Sequence, residues 1–344
     1  MTEASWEMLL PPLFAGAGIA IDGRLEVVPL TGGVSSDIVK ITIPDGRQYC
    51  AKRALPKLKV KSDWEAPLER NHYEIAWLRR AGEIVPGAAP QVLGEDDAHG
   101  IALLEYLPPE DCRLWKAELL AGRADPRVPI AVADALGRIH AATLNDPETA
   151  IAFSTDALFD ALRLDPYLRT LATRHPALAD PILACLKATA STKIALVHGD
   201  VSPKNILVSI EDGHPVLLDA ECAWYGDPAF DAAFCLNHLL LKAVHLPSIR
   251  TDLLAQARAF LQKWIGHFPV PIRAALEQRT ATLLPCLLLA RVDGKSPVEY
   301  LDPAEQQLVR DIAIPMIQHA PVTVAGVVDR VADGLATKTK GTMQ

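Results

Sequence analysis

Residues 197–209, VHGDVSPKNILVS, place the tightest constraint on what this chain can fold into. Apolar residues before this segment (KIALV) and at its end (ILVS) predict two short buried strands, so the polar residues between them lie on a loop. Polar side chains held between rigid strands are a common way to build a functional site. The alternative interpretation is an ordinary tight turn, bent at Pro203 and closed by aspartate and asparagine side chains.

The spacing of three polar residues favours the functional interpretation. Asp200 and Asn205 form the pattern D-x-x-x-x-N, and Asp219 follows a further predicted strand in LLDAE. Phosphoryl transfer from a nucleotide needs a carboxylate that positions the accepting hydroxyl and takes its proton, which is the role predicted for Asp200. It also needs oxygen ligands for Mg²⁺, and Asn205 and Asp219 are the predicted metal ligands.

The order of the predicted elements indicates an α+β fold. Strands such as DIVKITI and GRQYCAKRAL surround one helix, LERNHYEIAWLRRAG, in the N-terminal part, and helices dominate after PPEDC. We predict a small nucleotide-binding sheet lobe (residues 1–104), a connector or hinge (105–112), a larger, mainly helical catalytic and substrate lobe (113–333) and a disordered tail (334–344). A cleft between two such lobes is a frequent place for a ligand.

Charge and cysteine usage argue against several classes of protein. The net charge of −8 argues against nucleic acid or an anionic membrane as the main partner. The six cysteines are scattered without a C-x-x-C pair and no histidines have metal-ligand spacing, so we predict reduced thiols, no zinc site and a cytoplasmic protein. The N-terminus carries glutamates and no basic stretch, which argues against a secretory signal. No apolar run approaches the ~20 residues that a membrane span needs.

The two motifs differ from those of protein kinases in a characteristic way. Protein kinases carry H-R-D-x-x-x-x-N and D-F-G, whereas this chain has H-G-D, with Gly199 for the arginine, and D-A-E at residues 219–221. The sequence resembles the aminoglycoside phosphotransferase family and its relatives, the choline, fructosamine and methylthioribose kinases. The resemblance covers residues 30 to 314, with its sharpest motifs between 198 and 231. It implies a bilobal protein-kinase-like fold and an ATP- and Mg²⁺-dependent kinase of small molecules.

The resemblance also implies an ion pair that grips the nucleotide. Lys52 in YCAKRAL would hold the α- and β-phosphates, and an acid on the following helix would hold Lys52. Glu74 in HYEIAWL matches the family pattern, and Glu69 is the competing choice. A surface lysine and a surface glutamate would look the same in the sequence.

Two further segments would contact the nucleotide. In TGGVSSD, Ser35 and Ser36 can donate hydrogen bonds to phosphates, although a Gly-Gly hairpin turn explains the same residues. In LLEYL, the resemblance implies that the backbone of Glu105 and Leu107 bonds the adenine edge, and a plain buried strand is the alternative.

Several residues are candidates for supporting the loop or contacting the acceptor: His198, Lys204, Glu221, Asp231, Arg291 and Asp293. We expect His198 to hold the loop in shape, and Asp231 matches a family aspartate that braces it. Lys204 either neutralises the transferring phosphate or faces solvent, and Glu221 either assists a second metal or faces solvent.

Two stretches are candidate walls of the acceptor site. LLLARVDGKSPVEYL, residues 287–301, is predicted to interrupt a helix at Arg291 and Asp293, with a helix-ending turn at DGKSP as the alternative. Residues 111–123, with Trp115, form the second candidate.

These patterns predict a phosphotransferase that acts on a hydroxyl of an amino sugar, an aminoglycoside-like compound or an amino-alcohol metabolite. Asn205 argues against methylthioribose, because the resemblance implies a loop without this asparagine in methylthioribose kinases. The alternative is a pseudokinase-type regulatory module that binds nucleotide without transfer, although no expected catalytic residue is missing. The sequence leaves open the exact acceptor, ATP against GTP, and the oligomeric state.

Overall fold

The computed structural model describes residues 5–30, 36–55 and 69–341, and for 338–341 the backbone alone. Its N-terminal part is an antiparallel five-stranded sheet in the order β1-β2-β3-β5-β4. The strands are β1 (Glu26–Leu30), β2 (Ser36–Thr42), β3 (Gln48–Ala54), β4 (Val92–Asp96) and β5 (Ile101–Glu105). Helix α1 (Trp6–Gly16) packs on one face of this sheet and α2 (Arg70–Ile84) on the other.

Both faces of the sheet are apolar because successive side chains of a strand point to opposite sides. In β5, Ile101 and Leu103 pack in the cluster that contains Phe14 of α1, while Ala102 and Leu104 pack in the cluster that contains α2. The sequence analysis did not predict α1, since two prolines interrupt its helical pattern. The strands and α2 follow the predicted segments closely.

Two small sheets support the polar loops. One has the order β6-β8-β9, with β6 (Cys112–Leu114), β8 (Ile206–Ser209) and β9 (Pro215–Leu217). The other pairs β7 (Ala195–Val197) with β10 (Trp224–Gly226). The loop at residues 198–205 therefore connects one small sheet to the other, and the loop at 218–223 connects them again. A 3₁₀ turn, Pro203–Asn205, closes the first loop.

Helices make up most of the chain after residue 114. They are α3 (Trp115–Leu120), α4 (Arg127–Ala142), α5 (Pro147–Ala152), α6 (Asp156–Phe159), a π-helical segment (Asp160–Arg169), α7 (Thr170–Arg174), α8 (Ala179–Ser191), α9 (Ala229–His245), α10 (Arg250–Ile265), α11 (Val270–Asp293), α12 (Pro303–Gln318) and α13 (Val324–Gly341), with 3₁₀ turns at Pro176–Leu178 and Pro247–Ile249. Almost every residue of α9 is buried, which identifies it as the central helix of this region. The N-terminal antiparallel sheet and the helical C-terminal region confirm the predicted α+β class.

Two segments differ from their predictions. Helix α11 continues through Arg291 to Asp293, so the predicted interruption begins only at Gly294, whose N–H donates to the carbonyl of Ala290 at 2.8 Å. The apolar run before Arg291 buries fully and keeps the helix intact. Helix α13 extends to Gly341, well into the segment 334–344 for which we predicted disorder, because its amphipathic pattern begins at Val324 and continues without a proline.

Among the described residues, no single helix is long and apolar enough to span a membrane. Ala229–His245 and Pro247–Ile265 would satisfy length and composition only when taken together, and they are bent by 115° at their junction.

Candidate active site

The loop at 198–205 is held in shape by a buried aspartate from α9. Asp231 accepts hydrogen bonds from the backbone N–H groups of His198, at 2.7 Å, and of Gly199, at 2.8 Å. His198 in turn accepts the N–H of Asp200 on Nδ1, at 3.1 Å, so its ring proton is on Nε2 and donates to the carbonyl of Leu218, at 3.1 Å. His198 thus joins the loop at 198–205 to the loop at 218–223, as a supporting residue.

A second layer orients Asp231 itself. The indole N–H of Trp264 donates to Nδ1 of His140 at 3.0 Å, which places the proton of His140 on Nε2, 3.1 Å from Oδ2 of Asp231. His140, Asp231 and Trp264 are almost completely buried. No sequence pattern marks this role of His140, because nothing in the chain order indicates that α4 meets α9 and α10 at this point.

Gly199 is a position where only glycine fits. Its φ is +80°, in the left-handed region, and a Cβ added there would lie 2.6 Å from the carbonyl oxygen of Cys222. The tight turn presses the first polar loop against the second, which explains why glycine occupies the position that is arginine in protein kinases.

The carboxylate of Asp200 is buried and lies between two cations. Its Oδ2 is 3.0 Å from Nη2 of Arg163 and 3.1 Å from Nζ of Lys204. Burial opposes ionisation, but the charges of Lys204 and Arg163 outweigh it and hold the pKa of Asp200 well below its usual range. Oδ1 of Asp200 has no hydrogen-bond partner in the described part of the chain.

Sequence reasoning missed Arg163. It lies in the π-helical segment, and besides Asp200 it donates to the carbonyl of Gly199 and to that of Leu162. The guanidinium therefore holds both the backbone and the side chain of the loop. No local motif marks this arginine, which lies among the apolar residues of DALRLDPYLR and is buried with them.

Asn205 and Asp219 each keep one side-chain oxygen that has no hydrogen-bond partner among the described residues. The amide Nδ2 of Asn205 donates to the carbonyl of Asp200 at 3.1 Å, which leaves its Oδ1 without a partner among the described residues. Asp219 has the unusual φ of +65° and uses Oδ1 to contact Lys52, which leaves Oδ2. One amide oxygen and one carboxylate oxygen are a donor set that suits Mg²⁺, so these two residues fit the ion implied by the resemblance.

Lys52 connects the five-stranded sheet to these loops. Its Nζ lies 2.7 and 2.8 Å from the two carboxylate oxygens of Glu74 and also contacts Asp219. Burial favours the neutral amine, but the charges of Asp219 and Glu74 dominate and raise the pKa of Lys52. The predicted pairing of Lys52 with Glu74 is confirmed, whereas Glu69 lies exposed before the first turn of α2.

The remaining predicted nucleotide and loop residues differ in their hydrogen bonds and ion pairs. Glu221 forms an ion pair with Arg70, with 2.9 Å between Oε2 and Nε, so it neither faces solvent nor stands alone. The N–H of Glu105 donates to the carbonyl of Gln91 at 2.9 Å, while the backbone of Leu107 has no hydrogen bond to the part of the chain described. Ser36 is buried at the start of β2.

Ser35 and the glycines of TGGVSSD lie outside the described residues.

The predicted acceptor residues separate into two groups. Asp293 is bound by Arg310, with 2.7 Å between Oδ1 and Nη2, and by His175, with 2.9 Å to Oδ2. Its carboxylate is committed to holding α11 against α12 and α7, which argues against a contact with the acceptor. Arg291 has a different partner, because its Nη1 donates to the hydroxyl of Tyr167 at 3.1 Å.

The second predicted wall begins α3 at Trp115, and this helix packs against the turn Pro203–Asn205 that closes the loop of Asp200. Trp115 is almost completely buried, and it borders a surface cavity of about 170 Å³ between α3, β8 and the start of α4. None of Lys52, Asp200 and Asp219 lines that cavity.

Among the described residues no three histidine, cysteine or acidic side chains form a metal-binding cluster.

The chain matches the model of the phosphotransferase enzyme family over residues 26–264. It is similar to a methylthioribose kinase of Pectobacterium atrosepticum, with 25% identity over 271 residues that cover 66% of this chain and 67% of that kinase. The chain spans 54% to 67% of the length of the curated methylthioribose kinases that it matches.

Solved structures with the same fold include two kinases. An ethanolamine kinase of Plasmodium vivax has a TM-score of 0.53 and 14% identity, covering 94% of this chain and 84% of that one. An amicoumacin kinase in complex with AMP-PNP and Ca²⁺ has a TM-score of 0.53 and 14% identity, covering 93% of this chain and 96% of that one. At these identities the likeness establishes a shared fold.

Proposed function

This chain belongs to the phosphotransferase enzyme family, and we propose that it transfers the γ-phosphoryl group of ATP to a hydroxyl of a small molecule. The observation that carries the proposal is the position of Lys52, which contacts Glu74 on α2 and Asp219 beside the loop of Asp200. One cation thereby brings the sheet, α2 and both polar loops to a single place. The complex of the similar amicoumacin kinase with AMP-PNP supports ATP as the phosphoryl donor.

The nucleotide would bind between the sheet and the helical region, which join at residues 105–112. Lys52, held by Glu74, would grip the α- and β-phosphates, and the backbone of Leu107 would bond the adenine. Asn205 and Asp219 would hold Mg²⁺, which when bound neutralises charge on the phosphates. Ser36 lies at the start of β2, and its hydroxyl would donate a hydrogen bond to a phosphate.

Asp200 would orient the acceptor. The acceptor oxygen forms a bond to the γ-phosphorus, the bond from that phosphorus to the β,γ-bridging oxygen breaks, the hydroxyl proton passes to Asp200, and ADP leaves. Because its pKa is so low, Asp200 is a weak base, and its larger contribution is to fix the direction of the hydroxyl through the unpartnered Oδ1. Lys204 and Arg163 lie where they neutralise charge around the transferring group.

The test is ADP release with ATP and Mg²⁺ against a panel of amino sugars, aminoglycosides, amino alcohols, hydroxy acids and sugar phosphates. We expect at least one compound to stimulate release and the D200N variant to lose this stimulation by about 10²–10⁴-fold while still binding ATP. D180N, which changes an exposed aspartate on α8, serves as the matched control. Nucleotide binding without stimulated release across the panel would favour the pseudokinase alternative, and near-native turnover by D200N would remove Asp200 from the proposed role.

A further inference from the structure

One face of α9 leads from the loop of Asp200 to a buried lysine. Phe234, His238 and Lys242 are spaced by four residues and so lie on the same side of this helix. Arg163, which contacts Asp200, has its guanidinium carbon 5.8 Å from the centre of the Phe234 ring, and the rings of Phe234 and His238 are 5.4 Å apart. Two helical turns, about 12 Å, separate the first and last of these positions on α9.

Lys242 is buried and has no carboxylate partner among the described residues. The residue is 1% exposed, and its side chain forms no ion pair or hydrogen bond with that part of the chain. Its Nζ lies 5.0 Å from the centre of the Tyr300 ring, which is its one directed contact among those described. A buried, unpaired ammonium costs several kcal/mol, so an arrangement of this kind calls for an explanation.

A second cation, Arg291, acts electrostatically on Lys242 and has no carboxylate partner in the part of the chain that the structure describes. Arg291, on the last turn of α11, donates to the hydroxyl of Tyr167 at 3.1 Å and to Ser296. Its Nε and the hydroxyl of Tyr300 are buried with no hydrogen-bond partner among those residues. Burial, together with the charges of Lys116 and Arg291, lowers the pKa of Lys242 to about 7.

The carboxylates near this group are already bound to other cations. Glu299 forms an ion pair with Lys116, and Glu305 lies 3.1 Å from Nδ1 of His245. His238 lies on α9 between Phe234, whose ring meets Arg163, and Lys242. The region beyond Asp200 therefore carries an excess of positive charge with hydrogen-bond donors left over.

We propose that Lys242, Arg291, His238 and Tyr300, together called the Lys242 cluster, bind an oxyanion group of the acceptor, a carboxylate or a phosphate ester, while its hydroxyl lies at Asp200. This inference rests on the proposed function, since it assigns the acceptor class of the same site. It argues against the amino sugars, aminoglycosides and amino alcohols of the sequence analysis, because such cations would face Lys242 and Arg291 with like charge. A group with several acceptor oxygens would pair the ammonium, Nε of Arg291 and the Tyr300 hydroxyl together.

Matched pairs of compounds test the charge requirement. Gluconate with gluconamide and glycerol 3-phosphate with glycerol differ mainly in the oxyanion, and ethanolamine and glucosamine represent cations. Their effect on the thermal unfolding midpoint is measured for the unmodified protein, for K242M and for K187M, which removes an exposed lysine on α8. K242M without ligand should unfold no lower than the unmodified protein, because methionine suits a buried position better than an unpaired charge.

We expect an oxyanion, and not its neutral partner, to raise the midpoint of the unmodified protein and of K187M. The apparent Kd of K242M should be at least about tenfold weaker, the loss expected for one charge-assisted hydrogen bond. The pair that responds distinguishes a carboxylate from a phosphate ester. The inference is overturned if no oxyanion separates K242M from the unmodified protein, or if neutral and cationic compounds bind as well as the oxyanions.

The same experiment separates this inference from the proposed function. Oxyanion binding that depends on Lys242, followed by no ADP release with ATP, would retain the binding site and refute the kinase. ADP release with cationic or neutral acceptors, unchanged in K242M, would retain the kinase and refute the oxyanion site.

Discussion

Nη2 of Arg163 lies 3.0 Å from Oδ2 of Asp200, in a contact that joins the π-helical segment to the polar loop. Lys204 approaches the same oxygen from within the loop, at 3.1 Å. Both cations contact Oδ2, and Oδ1 has no hydrogen-bond partner among the described residues, which is the oxygen that the proposed function assigns to the acceptor. The orientation of Asp200 is therefore fixed by residues outside the D-x-x-x-x-N motif as much as by the motif itself.

Replacing Arg163 should change the pH dependence of the reaction. The positive charge of Arg163 helps to hold the pKa of Asp200 low, so R163Q should raise that pKa toward its ordinary value. The acidic limb of the kcat/KM profile should then move to higher pH, by about one unit. R163K should restore part of the shift because it keeps the charge. An acidic limb that stays in place in R163Q would show that Arg163 only supports the backbone, and R330Q on α13 is the surface control.

Asp200 should also make the unfolding free energy of the protein depend on pH. A carboxyl whose pKa is lowered in the folded state stabilises it above the ordinary pKa, about 4, and this contribution is lost as the pH falls through the folded value. The unmodified protein should therefore be more stable than D200N at pH 7, and the gap in unfolding free energy should shrink below about pH 4. Urea unfolding of both proteins between pH 7 and 2.5 measures this gap in unfolding free energy. A gap that stays constant over this range would contradict the assignment.

Removing Lys52 should destabilise the protein as well as the nucleotide complex. K52M leaves the buried carboxylate of Glu74 and that of Asp219 without their cation, at a cost of about 3 kcal/mol in unfolding free energy. Adding E74Q should recover part of this loss, since one buried charge is then removed. Urea unfolding of K52M, the double variant and K187M gives the comparison. A K52M variant as stable as K187M would show that the ion pairs contribute little.

Gly199 offers a test of the contact between the two polar loops. G199A should cost about 1–2 kcal/mol for the left-handed conformation and more for the approach to the carbonyl of Cys222. Gly46 has a φ of +89° but nothing within 4 Å of an added Cβ, so G46A measures the conformational cost alone. We expect G199A to be clearly the more destabilising and to lower kcat. Equal unfolding midpoints for the two variants would mean that the loops separate without penalty.

Much of the site could be predicted because its parts lie in short, regular patterns. Asp200 and Asp219 follow short, fully buried strands, Asn205 directly precedes β8, and Glu74 lies on a helix whose periodicity is plain. Arg163 could not be found this way, since its role depends on how the π-helical segment packs against the loop. Lys242 is hidden for a similar reason, because a single lysine after a run of leucines looks in the sequence like an exposed side chain.

Arg291 shows that the end of a helix predicted from the sequence can be placed too early. The sequence placed it in a loop beside the acceptor, whereas it is on the last turn of α11 and reaches Tyr167. The local structure therefore differs from the prediction, while a contact of Arg291 with the acceptor stays a prediction.

The two hydrogen bonds that Asp231 accepts from the backbone of His198 and Gly199 affect how the protein folds during its synthesis. Two amides of the loop find their acceptor only on α9, and β7 finds its partner only in β10, so the loop is completed by residues that follow it along the chain. During synthesis, which proceeds from the N-terminus, the ribosome must release α9 before this loop can adopt its shape. Nascent chains that stall before α9 therefore carry all the motifs of the loop and none of its geometry.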